Sequence, residues 1–264
     1  MTNPPAVAGI TGLVLARLCG ARFVLDSHPG SFGALGDRTS ARLQRVQRFL
    51  TRRADLSLVA APCWASIVES WGAKAIVVHE APSADPYRPS VNQAESRRFS
   101  ALCVGRLAPD EPTAAVVAAA AEVPEIDFLV TGDPARCPLE IIAAAPENCH
   151  FVGFLAPEEY GQAVVDSGVI LSLTTDAGSV MRSAYEAVYA ERPLIVSAGP
   201  LAEDLFPYAI ATQNDAASIA ASVRAAADRR AELLELAPAA RALQLERWER
   251  QLKEIRSFLD ADHD

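Results

Sequence analysis

The sequence predicts an α/β protein built from two parallel-sheet lobes. Short apolar runs rich in β-branched residues alternate with Ala-rich segments of helical periodicity along most of the 264 residues. A segment with three prolines, residues 81–93, interrupts this alternation, which restarts after it. We therefore expect an N-terminal lobe at residues 1–90, a C-terminal lobe at residues 91–237, and a C-terminal helix at residues 238–264.

In the N-terminal lobe the pattern predicts three helices and three strands. A helix at residues 6–19 ends before Gly20, a good helix terminator. The apolar runs at residues 21–26, 56–60 and 75–79 read as buried parallel strands, and the helices between them are expected at residues 39–53 and 62–71.

The C-terminal lobe is predicted to contain six strands, each followed by a helix or a short helical piece. Its strands are expected at residues 100–105, 126–131, 150–153, 169–173, 194–197 and, more weakly, 209–212. Its helices are expected at residues 113–122, 138–145, 157–166, 180–189, 202–206 and 216–227. The last long helix is expected at residues 238–259; it is amphipathic and has no strand after it.

The composition indicates which kinds of binding partner and which cellular compartment to expect. The net charge of −9 argues against a general nucleic-acid partner, although residues 1–90 carry ten basic and six acidic residues and could meet an anion. The five cysteines are scattered without a paired spacing, which indicates thiols in a reducing compartment and no metal site. No apolar run is long enough for a membrane span, and no signal peptide is evident. We expect a cytoplasmic protein.

Loops that directly follow strands are the first candidates for a binding site, because ligands of open parallel sheets lie beyond the carboxyl ends of the strands. Gly105 and Arg106 end the strand at residues 100–105, where glycine admits close backbone approach and the guanidinium can grip a phosphate. Gly132 ends the next strand. Gly132 could equally be part of an ordinary turn, and Arg106 could be an ordinary surface arginine. The ligand-binding and the structural interpretations therefore both stay open.

A loop rich in Gly, Ser and Thr at residues 173–181 leads into the helix predicted at residues 180–189. Gly178 and Ser179 precede that helix, whose free N–H groups would form a phosphate site. Arg182 could supply a counter-charge, and Glu186, four residues later, would share its face. The alternative is an Arg182–Glu186 ion pair on a solvated helix.

Two features of the N-terminal lobe also carry chemistry. His28 follows the first strand and could donate a proton or contact a sugar or phosphate, although a lone histidine is often structural. Six arginines and no acidic residue lie between Arg38 and Arg53. The predicted helix there is either an ordinary amphipathic surface helix or a basic patch for anionic lipid headgroups or a lipid-phosphate acceptor. The patch consists of Arg42, Arg45, Arg48 and Arg52.

Taken together, several strings resemble the retaining glycosyltransferases of the large family four group. In the C-terminal lobe they are Val104-Gly105-Arg106-Leu107, Leu129-Val130-Thr131-Gly132, Phe151-Val152-Gly153-Phe154, and Tyr185-Glu186-Ala187 followed by Arg192-Pro193-Leu194-Ile195. Upstream they are Asn3-Pro4-Pro5, Val24-Leu25-Asp26-Ser27-His28 and Ala54-Asp55. The resemblance implies two Rossmann-like lobes of the glycosyltransferase B-type.

By this resemblance the reaction is retaining transfer from a nucleotide-diphosphate sugar to a lipid-linked acceptor or polysaccharide precursor, with no cofactor and no obligatory metal. Arg106 would contact the donor diphosphate and His28 would approach the transferred sugar, so these two are the catalytic candidates. Glu186 would bind the ribose, and the Gly178–Ser179 loop would hold the phosphates or sugar. The remaining donor-binding candidates are Gly105, Gly132, Phe154 and Arg182.

The sequence also departs from the family's pattern. The family usually has a lysine a few residues after the Gly-Arg pair, but residues 108–112 contain none. Gly178 and Ser179 stand near the place of the first of two expected glutamates. The first strands of the N-terminal lobe are missing from the pattern, so we expect that lobe to be incomplete. Either the chain is a fragment or a mis-started product, or a partner chain or self-association supplies the rest. A non-catalytic or split-enzyme subunit and a nucleotide-sugar epimerase of the same fold are the alternatives. A peripheral position at the inner membrane face would follow from the basic patch.

Overall fold

The computed structural model describes residues 6–28, residue 32, residues 41–82 and residues 98–261, with side chains omitted at residues 6–7 and 41–43. The chain divides into two compact units. The first unit comprises Met1–Ala81 together with Glu246–Asp264, and the second unit comprises Pro82–Leu245. The divide therefore falls after Ala81 rather than near residue 90, and the C-terminal segment is shared between the units instead of standing apart.

The described part of the first unit contains a three-stranded parallel sheet in the order β1-β2-β3. Its strands are β1 Val24–Ser27, β2 Leu56–Val59 and β3 Ala75–Val77, and its helices are α1 Ala6–Leu18, α2 Ala41–Arg53 and α3 Pro62–Ser70. A core of Phe23, Leu25 and Leu50 joins β1 to α2, and Leu13 of α1 packs against it. Each element lies within a few residues of its predicted place.

The second unit contains a six-stranded sheet in which every pair of neighbours is parallel. The strands are β4 Ser100–Cys103, β5 Asp127–Thr131, β6 Cys149–Gly153, β7 Val169–Ser172, β8 Leu194–Ser197 and β9 Ile210–Thr212. Their spatial order is β6-β5-β4-β7-β8-β9, which is the order of a doubly wound dinucleotide-binding fold. The chain order reverses between β4 and β7.

Helices cover both faces of this sheet. They are α4 Thr113–Glu122, α5 Leu139–Ala143, α6 Pro157–Asp166, α7 Arg182–Tyr189, α8 Pro200–Leu205, α9 Ala216–Asp228 and α10 Arg230–Asp260. Alternate strand residues enter two different cores: Leu171 packs with Val116 of α4 and Ile219 of α9, whereas Ile170 packs with Val188 of α7. This alternation explains why β7 and β8 are buried on both faces and read as continuous apolar runs.

The predicted start of the last helix at Pro238 is wrong, because α10 begins at Arg230 and carries Pro238 in its interior. Residues 230–237 are mostly Ala, Glu and Leu, which favour helix, and one internal proline removes only one donor from the hydrogen-bond ladder. None of the described helices is both long and apolar enough to cross a bilayer.

A buried amide fastens the end of α4 in the second unit. Nδ2 of Asn148 donates to the carbonyl oxygens of Ala120, Val123 and Ile126 at 2.9, 3.1 and 2.7 Å. These carbonyls lie at and just beyond the end of α4, and those of Ala120 and Val123 also accept the N–H groups of Val123 and Ile126. Asn148 thereby holds the α4–β5 connection against the start of β6.

Candidate functional site

The loop after β4 is part of the predicted donor site. The carboxylate of a glutamate in the same loop accepts hydrogen bonds from the loop's backbone N–H groups. The N–H groups of Arg106, Leu107 and Ala108 all donate to Oε2 of Glu111, at 2.9, 2.8 and 3.3 Å. The guanidinium of Arg106 lies nearby, with Nε 3.9 Å from Oε1 of Glu111, while its side chain is 60% exposed. Glu111 was not among the residues predicted from sequence.

Gly132 is required by close packing against that loop. Its φ is 112°, in the left-handed region, and a Cβ there would lie 3.0 Å from the Gly105 carbonyl oxygen and from the Arg106 carbonyl carbon. The neighbouring Thr131 hydroxyl accepts the Gly105 N–H at 3.0 Å. Gly132 therefore positions the β4 loop, so its requirement for glycine is explained without a ligand.

The loop after β7 lies beside the β4 loop at the reversal point of the sheet. The carbonyl oxygen of Asp110 accepts the N–H of Thr175 at 2.7 Å and lies within 3.2 Å of the hydroxyls of Thr174 and Thr175. Because β4 pairs directly with β7, these bonds join the two loops at the carboxyl edge, where ligands of doubly wound sheets bind.

A polar cavity of about 500 Å³ opens between this loop and the ends of β7 and β8. It is lined mainly by Thr174, Thr175, Asp176, Ser179, Val180, Met181, Ser197, Gly199 and Asn214. Its back is tied together: the Thr174 N–H donates to Oγ of Ser197 (2.9 Å), the Ser197 hydroxyl to Oδ1 of Asn214 (2.8 Å), and Nδ2 of Asn214 to the Thr174 carbonyl oxygen (2.9 Å). Of the predicted residues, Ser179 lines this cavity.

The helix after this loop begins later than predicted. The first residue of α7 is Arg182 rather than Val180, and Met181 precedes it without a side-chain cap. Within the loop, the Gly178 N–H donates to Oδ1 of Asp176 at 2.9 Å and the Ser179 N–H to the Asp176 carbonyl oxygen at 3.1 Å. The loop is thus ordered by hydrogen bonds to Asp176.

Glu186 lies on α7 with both carboxylate oxygens engaged. Oε1 accepts from Nε of Arg182 at 3.0 Å, and Oε2 accepts from the hydroxyl of Tyr160 at 2.5 Å. The Glu186 side chain is 18% exposed and that of Arg182 is 70% exposed. The intrahelical ion pair that the sequence left open is therefore present, and Tyr160 of α6 is a contact that the sequence did not indicate.

The two remaining candidates, His28 and Phe154, belong to different units of the chain. His28 directly follows β1 in the first unit, where Nε2 lies 3.4 Å from Oδ2 of Asp26 and the side chain is exposed. Phe154 directly follows β6 in the second unit and is 69% exposed. An exposed aromatic ring at a strand's carboxyl end is the kind of surface on which a flat base can stack.

The basic face of α2 is exposed as predicted for Arg45, Arg48 and Arg52, whereas the side chain of Arg42 lies outside the described part of the chain. The opposite face buries Leu50 together with the polar Gln47 and Thr51. Val46, which is half-buried, packs against the same core as Leu50.

The cysteines divide by burial. Cys19 and Cys63 are exposed, whereas burial and the negative charge of Glu111 raise the pKa of Cys103 to about 12, and burial raises that of Cys149 to about 11. Across residues 6–28, 41–82 and 98–261, no three His, Cys, Asp or Glu side chains gather as a metal site would require.

A second cavity, of about 400 Å³, lies among α7, α8 and α10 and is lined chiefly by apolar residues such as Phe206, Leu233 and Ala237. It contains none of the predicted site residues. Polar groups that could orient a nucleotide converge instead at the carboxyl ends of β4, β7 and β8.

Comparisons with known proteins bear on the fold and on the family of this chain. No curated protein matches the sequence significantly. The structure matches HepE from Anabaena in complex with UDP with a TM-score of 0.81 at 16% identity, over 97% of this chain and 77% of that one. It matches sucrose-phosphate synthase from Thermosynechococcus elongatus with a TM-score of 0.72 at 17% identity, over 95% of this chain and 72% of that one. It also matches the pneumococcal O-GlcNAc transferase GtfA in complex with UDP and GlcNAc with a TM-score of 0.69 at 19% identity, over 97% of this chain and 55% of that one.

These matches confirm the predicted fold class, the glycosyltransferase B-type. In this chain the fold contains one parallel sheet of three strands and one of six. In sequence, residues 111–256 match the family model described as glycosyl transferase-like, which is more than half of the chain. This chain therefore belongs to the glycosyl transferase-like family.

Proposed function

We propose that this chain transfers a sugar from a nucleotide-diphosphate sugar to an acceptor with retention of configuration. The observation that carries the proposal is the joined β4 and β7 loops at the reversal point of a doubly wound sheet, beside a polar cavity at the ends of β7 and β8. Sheets of this order bind nucleotides at that edge. The family match and the UDP complexes among the similar structures support the same donor class.

In this proposal the donor lies along the carboxyl edge of the second unit. Glu186 accepts hydrogen bonds from the ribose hydroxyls, and the exposed guanidinium of Arg106 lies against the diphosphate, whose developing charge it stabilises as the sugar leaves. Ser179 and the loop around Gly178 approach the sugar or phosphates, and Phe154 stacks on the base. His28 contacts the transferred sugar, and the proposal includes no metal or cofactor.

The acceptor is proposed to be a lipid-linked molecule or a polysaccharide precursor, reached at an anionic membrane surface. Arg45, Arg48 and Arg52 expose their charges on α2, and Phe49 of the same helix is exposed among them, with the Arg53 guanidinium 5.3 Å from its ring centroid. Exposed arginines with an interleaved aromatic ring suit an interface of phosphate headgroups and acyl chains.

A second candidate function is that of a subunit that binds the nucleotide sugar and needs a partner polypeptide for activity. The observation that favours it is the apolar face of α1, on which Ile10, Val14, Leu15 and Leu18 are 44–78% exposed. Contiguous apolar surface of this kind marks interaction sites. Light scattering after gel filtration distinguishes the candidates, since a monomer that turns over donor would exclude the subunit role.

The first experiment is a thermal-shift panel of UDP, GDP, ADP and TDP. Binding at a nucleotide concentration about 100 times the Kd is expected to raise the unfolding midpoint by roughly 5–10 °C. Arg106→Ala and Glu186→Ala should each reduce the shift. A full shift in both variants would refute the site. No shift with any of the four nucleotides, in the wild type or after the replacements Glu111→Gln and Glu111→Ala at the β4 loop, would refute the donor class.

Membrane docking is tested separately by sedimentation with vesicles. Vesicles rich in phosphatidylserine should carry the protein down at low salt, whereas phosphatidylcholine vesicles should not, since screening and neutral headgroups both remove the attraction. The combined replacement of Arg45, Arg48 and Arg52 by glutamine should abolish sedimentation. Equal binding to both kinds of vesicle would contradict a headgroup-specific patch.

A further inference from the structure

The β4 loop of the second unit presents its backbone as an anion-binding nest. Three consecutive N–H groups, those of Arg106, Leu107 and Ala108, converge on one point 2.8–3.3 Å away. Leu107 makes this possible, because its φ of 57° lies in the left-handed region and turns successive N–H groups to the same side. Such nests bind phosphate and other anions in many proteins.

This nest already holds an anion, the carboxylate of Glu111. The Glu111 side chain is only 7% exposed, and its Oε2 would lie 2.3 Å from a Cβ placed on Gly105. Glycine at position 105 therefore makes room for Glu111. The sequence had suggested that this glycine makes room for a ligand, but in the structure that space contains the chain's own carboxylate.

Two anions cannot share one nest. Arg106 is the cation nearest to this carboxylate in the described part of the chain, and its guanidinium lies 3.9 Å away, beyond direct hydrogen bonding. A donor phosphate approaching the loop would meet N–H groups that are already engaged and a negative charge that Arg106 offsets only in part. Repulsion between like charges at this range opposes phosphate binding.

We propose that Glu111 sets the affinity of the donor site: its carboxylate competes with the donor's diphosphate for the β4 loop, so that the loop binds phosphate more weakly than its N–H groups alone would. This inference rests on the proposed function, since it needs the donor diphosphate to lie at the β4 loop. It assigns Glu111 an effect on donor affinity that is opposite in sign to that of Arg106.

Charge and hydrogen bonding are separated by two replacements. Glu111→Gln keeps an acceptor oxygen for the three N–H groups but removes the charge, whereas Glu111→Ala empties the nest. Both should bind a nucleoside diphosphate at least about fivefold more tightly than the wild type, as expected for removal of a like charge at contact distance. The matched control is Glu232→Gln, which removes the same charge from a surface ion pair with Arg229.

Isothermal titration with UDP, GDP, ADP and TDP, and with inorganic pyrophosphate, decides the matter, after each variant's thermal unfolding has shown that it is folded. Tighter binding by the two Glu111 variants with an unchanged control supports the inference. Equal or weaker binding than the wild type overturns it and leaves Glu111 as a loop-holding residue, while the proposed function stands. Binding of none of the nucleotides by any form overturns the proposed function and this inference with it.

Discussion

Replacement of Glu186 by alanine tests the ribose contact directly, and the structure bounds the effect. A carboxylate offers about four lone-pair positions. Arg182 and Tyr160 occupy one on each oxygen among the described residues, which leaves two for ligand hydroxyls. Hydrogen bonds to charged groups contribute about 1.5–3 kcal/mol each. The loss of two should weaken nucleotide binding by about 3 kcal/mol or more, roughly 150-fold.

Glutamine at the same position keeps one acceptor oxygen and loses the charge, so about tenfold weaker binding is expected. Tyr160→Phe removes a bond that orients Glu186 without removing a ligand contact, and should cost less than Glu186→Ala. Isothermal titration with the nucleotide identified in the thermal-shift panel measures all three. Because Arg182 is largely exposed, the lost ion pair should change the unfolding free energy by less than about 1 kcal/mol. Wild-type affinity in a folded Glu186→Ala variant would refute the assignment.

Three further predictions concern the scaffold. Asn148→Ala should lower the unfolding free energy by about 1–3 kcal/mol at an unchanged urea m-value, because it removes a buried donor that three carbonyls share, two of which also accept backbone N–H groups. At pH 8 a disulfide reagent should label the two exposed thiols first, and Cys103 and Cys149 only after unfolding, since their raised pKa values keep them protonated. Hydrogen bonds from the Ser218 N–H and hydroxyl lower the pKa of Asp215 in the folded protein. The stability that Asp215 contributes should therefore be present above its unfolded-state pKa and be lost as the pH falls through its folded-state pKa. The difference in unfolding midpoint between the wild type and Asp215→Ala should accordingly shrink between pH 7 and pH 3.

The architecture was predictable because it depends on local pattern. Strands β7 and β8 are short apolar runs whose residues pack alternately into two cores, so each reads in the sequence as a strand buried on both faces. The end of α10 was predictable and its beginning was not, since a proline can open a helix or lie within it.

The site was only partly predictable because its decisive contacts depend on backbone shape and long-range approach. A leucine rarely adopts a positive φ, so the sequence does not indicate the turn at Leu107. Without that turn the N–H groups would not converge on the carboxylate of Glu111. Tyr160 meets Glu186 across 26 residues and two helices, which no spacing rule connects. The ion pair between Arg182 and Glu186 follows helical spacing, and it was accordingly foreseen as one of two alternatives.

The ring of hydrogen bonds through Thr174, Ser197 and Asn214 has a consequence for how the site responds to substitution or ligand. It closes on itself across the ends of β7, β8 and β9, so each of the three strand ends is held by the other two. Loosening one member releases a donor or an acceptor in both neighbours, and the loosening spreads along the sheet edge instead of staying at one loop. A substitution at any one of Thr174, Ser197 and Asn214 should therefore disturb the hydrogen bonds of the other two.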